Sequence, residues 1–168
     1  MTLMKFVFIT ALSMITLMGC YSNEEDEEIE KVPNLIDPEL AMSHLTIEGA
    51  DIKPGLPKAM LNSPTAPQID PLQDMVMHPG QLDTLIIQQV TTKQIDGLFI
   101  KVAGADSYFD VPASAFLSGG RAATHSEAAV TLLVSDQMAI GNIIIECSMY
   151  DSYNEVSNQE AFILEIKE

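Results

Sequence analysis

The chain is poor in positive charge. Of its 168 residues, 8 are Lys or Arg against 24 Asp or Glu, which gives a formal net charge of −16. A protein this acidic repels phosphate backbones, so nucleic acid is not an expected partner. There is no tryptophan and aromatic residues make up 6%, which argues against a stacking platform for bases or sugars. Two cysteines are too few for a disulfide scaffold or a four-cysteine zinc site.

Motifs of familiar catalytic chemistry are also missing. The three histidines, His44, His78 and His125, lie far apart, and none belongs to an H-E-x-x-H metal motif. The sequence has no G-x-S-x-G nucleophile elbow, no glycine-rich phosphate loop and no C-x-x-C pair. We therefore expect a protein that is not an enzyme.

The N-terminal residues have the features of a targeting signal. Residues 1–20 read MTLMKFVFITALSMITLMGC, with Lys5 as the single positive charge. The mostly apolar run over residues 6–18 is shorter than the roughly 20 residues that span a bilayer. It therefore predicts a signal peptide over residues 1–19, which is removed from the mature protein. The alternative to the anchor described next is an ordinary secretory signal followed by an incidental cysteine.

The end of this segment, L-M-G-C at residues 17–20, resembles the lipobox of bacterial lipoproteins. The resemblance implies cleavage before Cys20, a thioether diacylglycerol on its sulfur and an acyl chain such as palmitate on the new N-terminus. Each buried methylene contributes about 0.8 kcal/mol, so several chains hold a protein firmly on a membrane. We expect no cofactor apart from this covalent lipid and the candidate calcium ion considered below. The expected location of the protein is the outer membrane. Once Cys20 carries the lipid, Cys147 is the only free thiol.

A strongly acidic run follows the cysteine. Six acids stand within residues 24–30, EEDEEIE. Like charges extend a chain and resist folding, so residues 20–31 are predicted to be a lipidated cysteine and a solvated tether. The run also resembles the surface-export signal of lipoproteins in the Bacteroidetes group, which implies a domain exposed at the cell surface. A plain spacer is the alternative, and the side of the outer membrane that the domain faces stays open.

Proline is concentrated in the next part of the chain. Eight of the nine prolines lie within residues 32–80. Proline removes a backbone donor and breaks helices and central strands. Residues 32–67 are therefore predicted to be a loosely ordered linker or stalk that adds little stability. A short helix could start at Pro38, and one strand of the stalk could pair with the domain over residues 68–168.

From residue 82 onward apolar and polar residues alternate, which is typical of β-strands. The predicted strands cover residues 82–90, 95–103, 107–111, 129–135, 143–150 and 161–167. Short strands separated by turn residues favour an antiparallel sandwich with one alternating set facing inward. That set comprises Leu98, Ile100, Val102, Val130, Leu132, Val134, Ile143, Ile145, Phe162 and Leu164.

The closing hairpin resembles the last hairpin of bacterial immunoglobulin-like and fibronectin type III-like domains. A strand ends at Asp151, Asn154 and a Val-Ser pair follow, and a final apolar strand closes the chain. The resemblance covers about residues 68–168. It implies an all-β, antiparallel immunoglobulin-like sandwich, a fold that hosts many unrelated functions.

Oxygen-bearing side chains at predicted turns suggest one metal site. The candidates are Asp106, Asp110, Asp151 and Asn154. Carboxylate and amide oxygens are the ligands that calcium prefers, so these residues are a candidate calcium site. The alternative is that they cap turns by bonding to their own backbone.

Two function classes fit these features. The first is a non-catalytic, membrane-anchored envelope lipoprotein that presents an immunoglobulin-like binding or adhesion module outside the cell, with either a protein or a glycan as its ligand. The second is an accessory subunit of an outer-membrane complex for nutrient capture or export. The identity of the ligand and the oligomeric state do not follow from the sequence.

Overall fold

Strands dominate the computed structural model, which describes residues 34–58, 63–117 and 126–168. These residues contain one α-helix, α1, over Pro38–His44, and one 3₁₀ turn over Ala113–Ala115. Their ten strands are β1 Leu45–Ile47, β2 Asp51–Pro54, β3 Gln68–Ile69, β4 Met75–Met77, β5 Leu82–Val90, β6 Ile95–Val102, β7 Ser107–Pro112, β8 Ser126–Val134, β9 Gly141–Asp151 and β10 Glu160–Ile166.

The strands form two sheets that share one core. The four-stranded sheet has the order β1-β8-β5-β3, and the six-stranded sheet has the order β2-β7-β6-β9-β10-β4. The pairs are antiparallel except β4 with β10, which run parallel because the chain crosses between sheets after β3. Neighbours β3-β5-β8 and β6-β9-β10 reproduce the A-B-E and C-F-G arrangements of immunoglobulin domains. The predicted all-β immunoglobulin-like sandwich is confirmed.

Aliphatic side chains at alternate strand positions fill the core. All ten residues predicted to face inward are buried, and burying a large apolar side chain contributes about 1.5–3 kcal/mol. Predicted and observed strand ends differ by at most three residues. The thiol of Cys147 lies in this core on β9, and burial raises its pKa well above the ordinary value. It therefore behaves as a small apolar side chain.

The structure corrects the linker predicted over residues 32–67. Within this range β1 pairs with β8 and β2 pairs with β7, so the N-terminal segment supplies an edge strand to each sheet. Five of its apolar side chains are buried with those of the later strands: Ile36, Ala41, Met42, Leu45 and Ile47. The segment is thus part of the sandwich rather than a stalk.

The number of prolines led to a wrong prediction of a linker because Pro38 and Pro54 occupy positions where a helix or a strand tolerates proline. Pro38 stands in the first turn of α1, where its missing N–H has no helical partner to lose. The helix predicted to start there is confirmed. Asp37 caps it by accepting a 3.0 Å hydrogen bond from the backbone N–H of Leu40. Pro54 ends β2 at the edge of its sheet, where a strand can carry proline.

Three predicted features fall beyond the region that the structure covers. The signal peptide over residues 1–19, the lipidated Cys20 and the acidic tether over residues 20–31 lie outside the described residues. Within the described ranges, no helix is long and apolar enough to cross a membrane.

Candidate functional site

The four side chains predicted as calcium ligands do not converge. Asp106 lies in the turn after β6, whereas Asp151 pairs with Ile95 at the start of β6. The two ends of this strand are about 23 Å apart at about 3.3 Å per residue. No group of three or more metal-binding side chains occurs among the residues that the structure describes. The prediction of a single site made from these four residues is wrong.

Asp151 and Asn154 shape the turn between β9 and β10 instead. The Asp151 carboxylate accepts hydrogen bonds from the backbone N–H groups of Tyr153, at 2.8 Å, and Glu155, at 2.9 Å. Asn154 has a φ of 60°, a left-handed conformation that asparagine tolerates better than most residues. The alternative reading of these two residues, turn formation, is confirmed.

An ion cluster ties this turn to the segment before β3. The ammonium of Lys93 lies 3.4 Å from Asp151 Oδ2 and forms an ion pair with Glu155. Glu155 also accepts hydrogen bonds from Ser63 Oγ at 2.9 Å and from Thr65 Oγ1 at 3.0 Å. The hydrogen bond from Lys93 is the main reason that the pKa of Glu155 is lowered. This cluster fixes one end of the sandwich.

Asp110 belongs to an aromatic cluster on the outer face of the six-stranded sheet. Tyr150 Oη donates a 2.9 Å hydrogen bond to Asp110 Oδ1. The Tyr150 ring stacks on Phe99 with centroids 4.5 Å apart, and Tyr108 meets Phe99 edge-on at 5.5 Å. Burial, and after it the bond to Asp110, raises the pKa of Tyr150. The low aromatic content of the chain did not predict this local concentration.

Gly97 makes room for the cluster. Its backbone pairs with that of Tyr150 across β6 and β9. A Cβ atom at residue 97 would lie 2.3 Å from Tyr150 Oη and 2.4 Å from Cζ. The tyrosine ring therefore lies directly over the strand, where only glycine leaves space for it.

A shallow groove of about 230 Å³ opens on the same face. Its floor carries Lys101 of β6 with Glu146 and Ser148 of β9, and Lys101 stands directly opposite Glu146. Its walls come from two connecting segments and comprise Leu56, Pro57 and Lys58 on one side and Val156, Ser157 and Gln159 on the other. Lys101 is only 9% exposed although it points away from the core.

The groove offers fixed polar groups between largely apolar walls. The Lys101 ammonium donates hydrogen bonds, the Glu146 carboxylate accepts them, and the Ser148 hydroxyl does both. The volume lies below the range of about 300–1,000 Å³ that small-molecule sites usually have. It suits one side chain or one sugar unit of a larger ligand.

Sequence reasoning missed this groove because one wall belongs to the predicted stalk. Lys58 Nζ donates a 2.8 Å hydrogen bond to Asn154 Oδ1, and Gly55 N–H donates a 2.7 Å bond to the Asp106 carbonyl. These contacts fasten the wall to both ends of the sheet. The alternating apolar triplet over residues 45–47 was the one local sign that this region joins a sheet.

The strand order and register place the chain in the class of immunoglobulin-like β-sandwich domains. No protein-family model matches the chain, and no curated protein matches it. Among solved structures, an SrpA adhesin mutant from Streptococcus sanguinis aligns over 63% of this chain and 60% of its own, with 14% identity and a TM-score of 0.45.

Two further structures show similarly distant likeness. The sialic acid binding region of a Streptococcus sanguinis SK1 adhesin aligns over 62% of this chain and 31% of its own, with 12% identity and a TM-score of 0.44. The M3 domain of titin aligns over 62% of this chain and 99% of its own, with 11% identity and a TM-score of 0.39. The alignments span less than two thirds of either adhesin chain. The class assignment rests on the strand order and register described above.

Proposed function

We propose that this protein is a non-catalytic, membrane-anchored binding or adhesion module of the bacterial envelope. A lipid on Cys20 holds it on the outer membrane, and the immunoglobulin-like domain is presented outside the cell. The observation that carries the binding role is the outer face of the six-stranded sheet, where the aromatic cluster and the groove over Lys101 lie side by side.

This face has the make-up of a recognition surface. Tyrosine, tryptophan and arginine side chains supply much of the binding energy at interfaces. Here Tyr108 and Tyr150 are half-buried, and Lys101 and Glu146 are held by strands rather than by mobile loops. Groups fixed before binding lose little conformational entropy when a ligand arrives.

The size of the groove sets the expected mode of binding. A single groove that receives one unit of a polymer binds weakly, and many copies on one membrane raise the overall avidity. Such behaviour suits adhesion to an extended glycan or to a protein surface. The groove variants below decide whether either ligand class uses this site.

The binding role is tested with the full chain on a panel of immobilised oligosaccharides and immobilised surface proteins. Glu146→Gln and Ser148→Ala alter the polar floor of the groove while leaving the apolar core intact. Glu165→Gln is the matched control, because Glu165 lies on the outer face of β10 and does not line the groove. We expect the groove variants to lose at least about tenfold in affinity, or about 1.4 kcal/mol, for the ligand that wild type selects. Equal binding by all three variants would remove the groove from the proposal.

The anchor is tested separately by cell fractionation. A Cys20→Ala variant should leave the membrane fraction or accumulate with its signal peptide attached, because it lacks the sulfur that carries the lipid. Replacing residues 24–30 with Ser and Gly should reduce protease accessibility on intact cells. If the Cys20→Ala protein is processed and partitions like wild type, the lipid anchor is refuted. Unchanged accessibility after the second replacement reduces the acidic run to a spacer.

A further inference from the structure

Two lysines of the groove over the six-stranded sheet have no acidic partner. Five lysines and no arginine occur in the part of the chain that the structure describes. Three of these lysines form ion pairs with carboxylates, namely Lys53, Lys93 and Lys167. The other two, Lys58 and Lys101, form no ion pair with any described residue, and both line the groove. With Glu146 as the one carboxylate of its lining, the groove has two positive charges against one negative, in a chain whose net charge is −16.

The floor of the groove also holds two buried polar side chains that lack a partner. Lys101 is 9% exposed and Ser148 is 7% exposed. Neither the Lys101 ammonium nor the Ser148 hydroxyl forms a hydrogen bond within the described ranges, and both polar atoms remain accessible from the groove. Lysine is almost never buried unless it is paired, and burying a charge without a partner is costly. The floor is therefore arranged for a ligand that brings a negative charge and polar groups.

We infer that the groove binds a carboxylate-bearing sugar unit, a uronic acid, as part of a larger glycan. The sugar carboxylate supplies the acceptor that the ammonium groups of Lys58 and Lys101 lack, and such charge-assisted hydrogen bonds are the strong ones. The ring hydroxyls of the sugar can donate to the Glu146 carboxylate and can donate to or accept from the Ser148 hydroxyl. This inference rests on the proposed function, because it names the ligand class of the groove to which that proposal assigns binding.

The mixed charge of the groove favours an acidic sugar over an acidic side chain of a protein. An aspartate or glutamate side chain would satisfy the two lysines, but it has no hydroxyl group to donate to Glu146. A uronic acid has one carboxylate and several hydroxyl groups, so it complements both kinds of group. No aromatic side chain is part of the described lining, so the affinity comes from ion pairs and hydrogen bonds rather than from stacking. The volume of about 230 Å³ accommodates one sugar unit.

NMR titration of the full chain, labelled with ¹³C in its lysine side chains and held in a mild detergent, tests the inference. The probes are sodium glucuronate and sodium galacturonate at about 0.15 M salt, where repulsion by the acidic chain is screened beyond about 8 Å. At least one uronate should shift the signals of Lys58 and Lys101 saturably, with a millimolar dissociation constant. The signals of Lys53 and Lys167, which have carboxylate partners of their own, should stay in place. The methyl esters of the uronates keep the ring and lack the charge, so they should bind at least about tenfold more weakly.

Lysine variants identify the groups that bind the carboxylate. Lys101→Gln and Lys58→Gln should each weaken uronate binding at least about fivefold, because each removes one charged donor. Lys58 is exposed, so its replacement tests the site without disturbing the core even if Lys101→Gln lowers the Tm. Lys167→Gln is the matched control. Lys167 is exposed and lies outside the groove, so the same change there should alter the dissociation constant less than about twofold.

Two outcomes would overturn the inference. The first is the absence of any saturable shift of Lys58 and Lys101 with either uronate up to about 50 mM. The second is binding of N-acetylglutamate amide as tightly as the uronates, which would assign the groove to an acidic protein side chain. In either case, loss of the panel ligand by Glu146→Gln and Ser148→Ala would leave the proposed function standing, because those variants test whether the groove binds a ligand of any class.

Discussion

Leu45→Ala tests whether the N-terminal segment holds the sandwich together. Leu45 is 3% exposed, its side chain belongs to the common core, and its backbone pairs with Val134 of β8. Truncating a buried leucine to alanine costs about 2–5 kcal/mol, out of a total stability of roughly 5–15 kcal/mol for a typical domain. A loss of about 3 kcal/mol corresponds to a fall in Tm of roughly 10 °C for a domain of this size.

The assay is thermal unfolding followed by circular dichroism, with Thr46→Ala as the control. Thr46 is the next residue of the same strand and is exposed, so its truncation should change stability by no more than about 0.5 kcal/mol. Equal melting curves for the Leu45 and Thr46 variants would refute the reasoning, because they would mean that β1 contributes nothing to the core.

Deleting the N-terminal segment tests the same contribution to stability with a larger perturbation. Removing residues 1–66 takes away four large buried side chains, Ile36, Met42, Leu45 and Ile47. At about 1.5–3 kcal/mol each they contribute roughly 6–12 kcal/mol, which is close to the whole stability of a domain. A chain that starts at residue 67 should therefore show no cooperative melt. A cooperative transition near the full-length Tm would restore the boundary at residue 68 that the sequence predicts.

Three more outcomes follow from local geometry. Gly97→Ala brings a methyl group within 2.3 Å of Tyr150 Oη, so the ring must move; we expect about 1–3 kcal/mol of destabilisation in urea titrations, and an unchanged midpoint would contradict the packing described. Because the hydrogen bond from Lys93 lowers the pKa of Glu155, the unfolded chain takes up this proton more readily than the native one. The stability that Glu155 contributes is thus present above the ordinary glutamate pKa and is lost as pH falls through the lowered pKa. Glu155→Gln should flatten that part of the acid limb of stability against pH, whereas an unaltered limb would count against the ion pair. In a Cys20→Ala chain, where Cys147 is the only thiol, this thiol, whose pKa burial raises, should react with a maleimide at neutral pH only after unfolding; fast labelling of the native protein would show that it is not buried.

The later strands were predictable because each is long enough to display its period. Over residues 82–90 and 161–166 the alternation repeats several times, so the inward set can be read without knowing the partner strand. β1 and β2 have three and four residues. They show barely one repeat each, and their burial depends on pairing with β8 and β7 far along the chain.

The sequence did not predict the candidate site for the same reason, because the site depends on pairing between distant strands. Lys101, Glu146 and Leu56 come from three separate stretches of the chain. The pairing of β6 with β9 brings the first two together, and the pairing of β2 with β7 brings Leu56 to them. The calcium prediction failed because a turn residue does not reveal at which end of the sheet its turn lies. Asp106 and Asp151 flank opposite ends of β6. The sequence predicted the kind of chemistry that each side chain can perform, but it did not predict where in the fold that side chain lies.

The pairing of early with late strands also bears on when this chain can fold. β1 finds its partner at residues 132–134, and β4 finds its partner at residues 164–166, next to the C-terminus. Contacts so distant in sequence require large loops to close before they return any stabilisation, which makes folding slow. During synthesis β1 has no partner until residues 132–134 have been made, and β4 has none until residues 164–166 have been made. The four-stranded sheet therefore cannot be complete before β8 has been made, and the six-stranded sheet cannot be complete before β10 has been made.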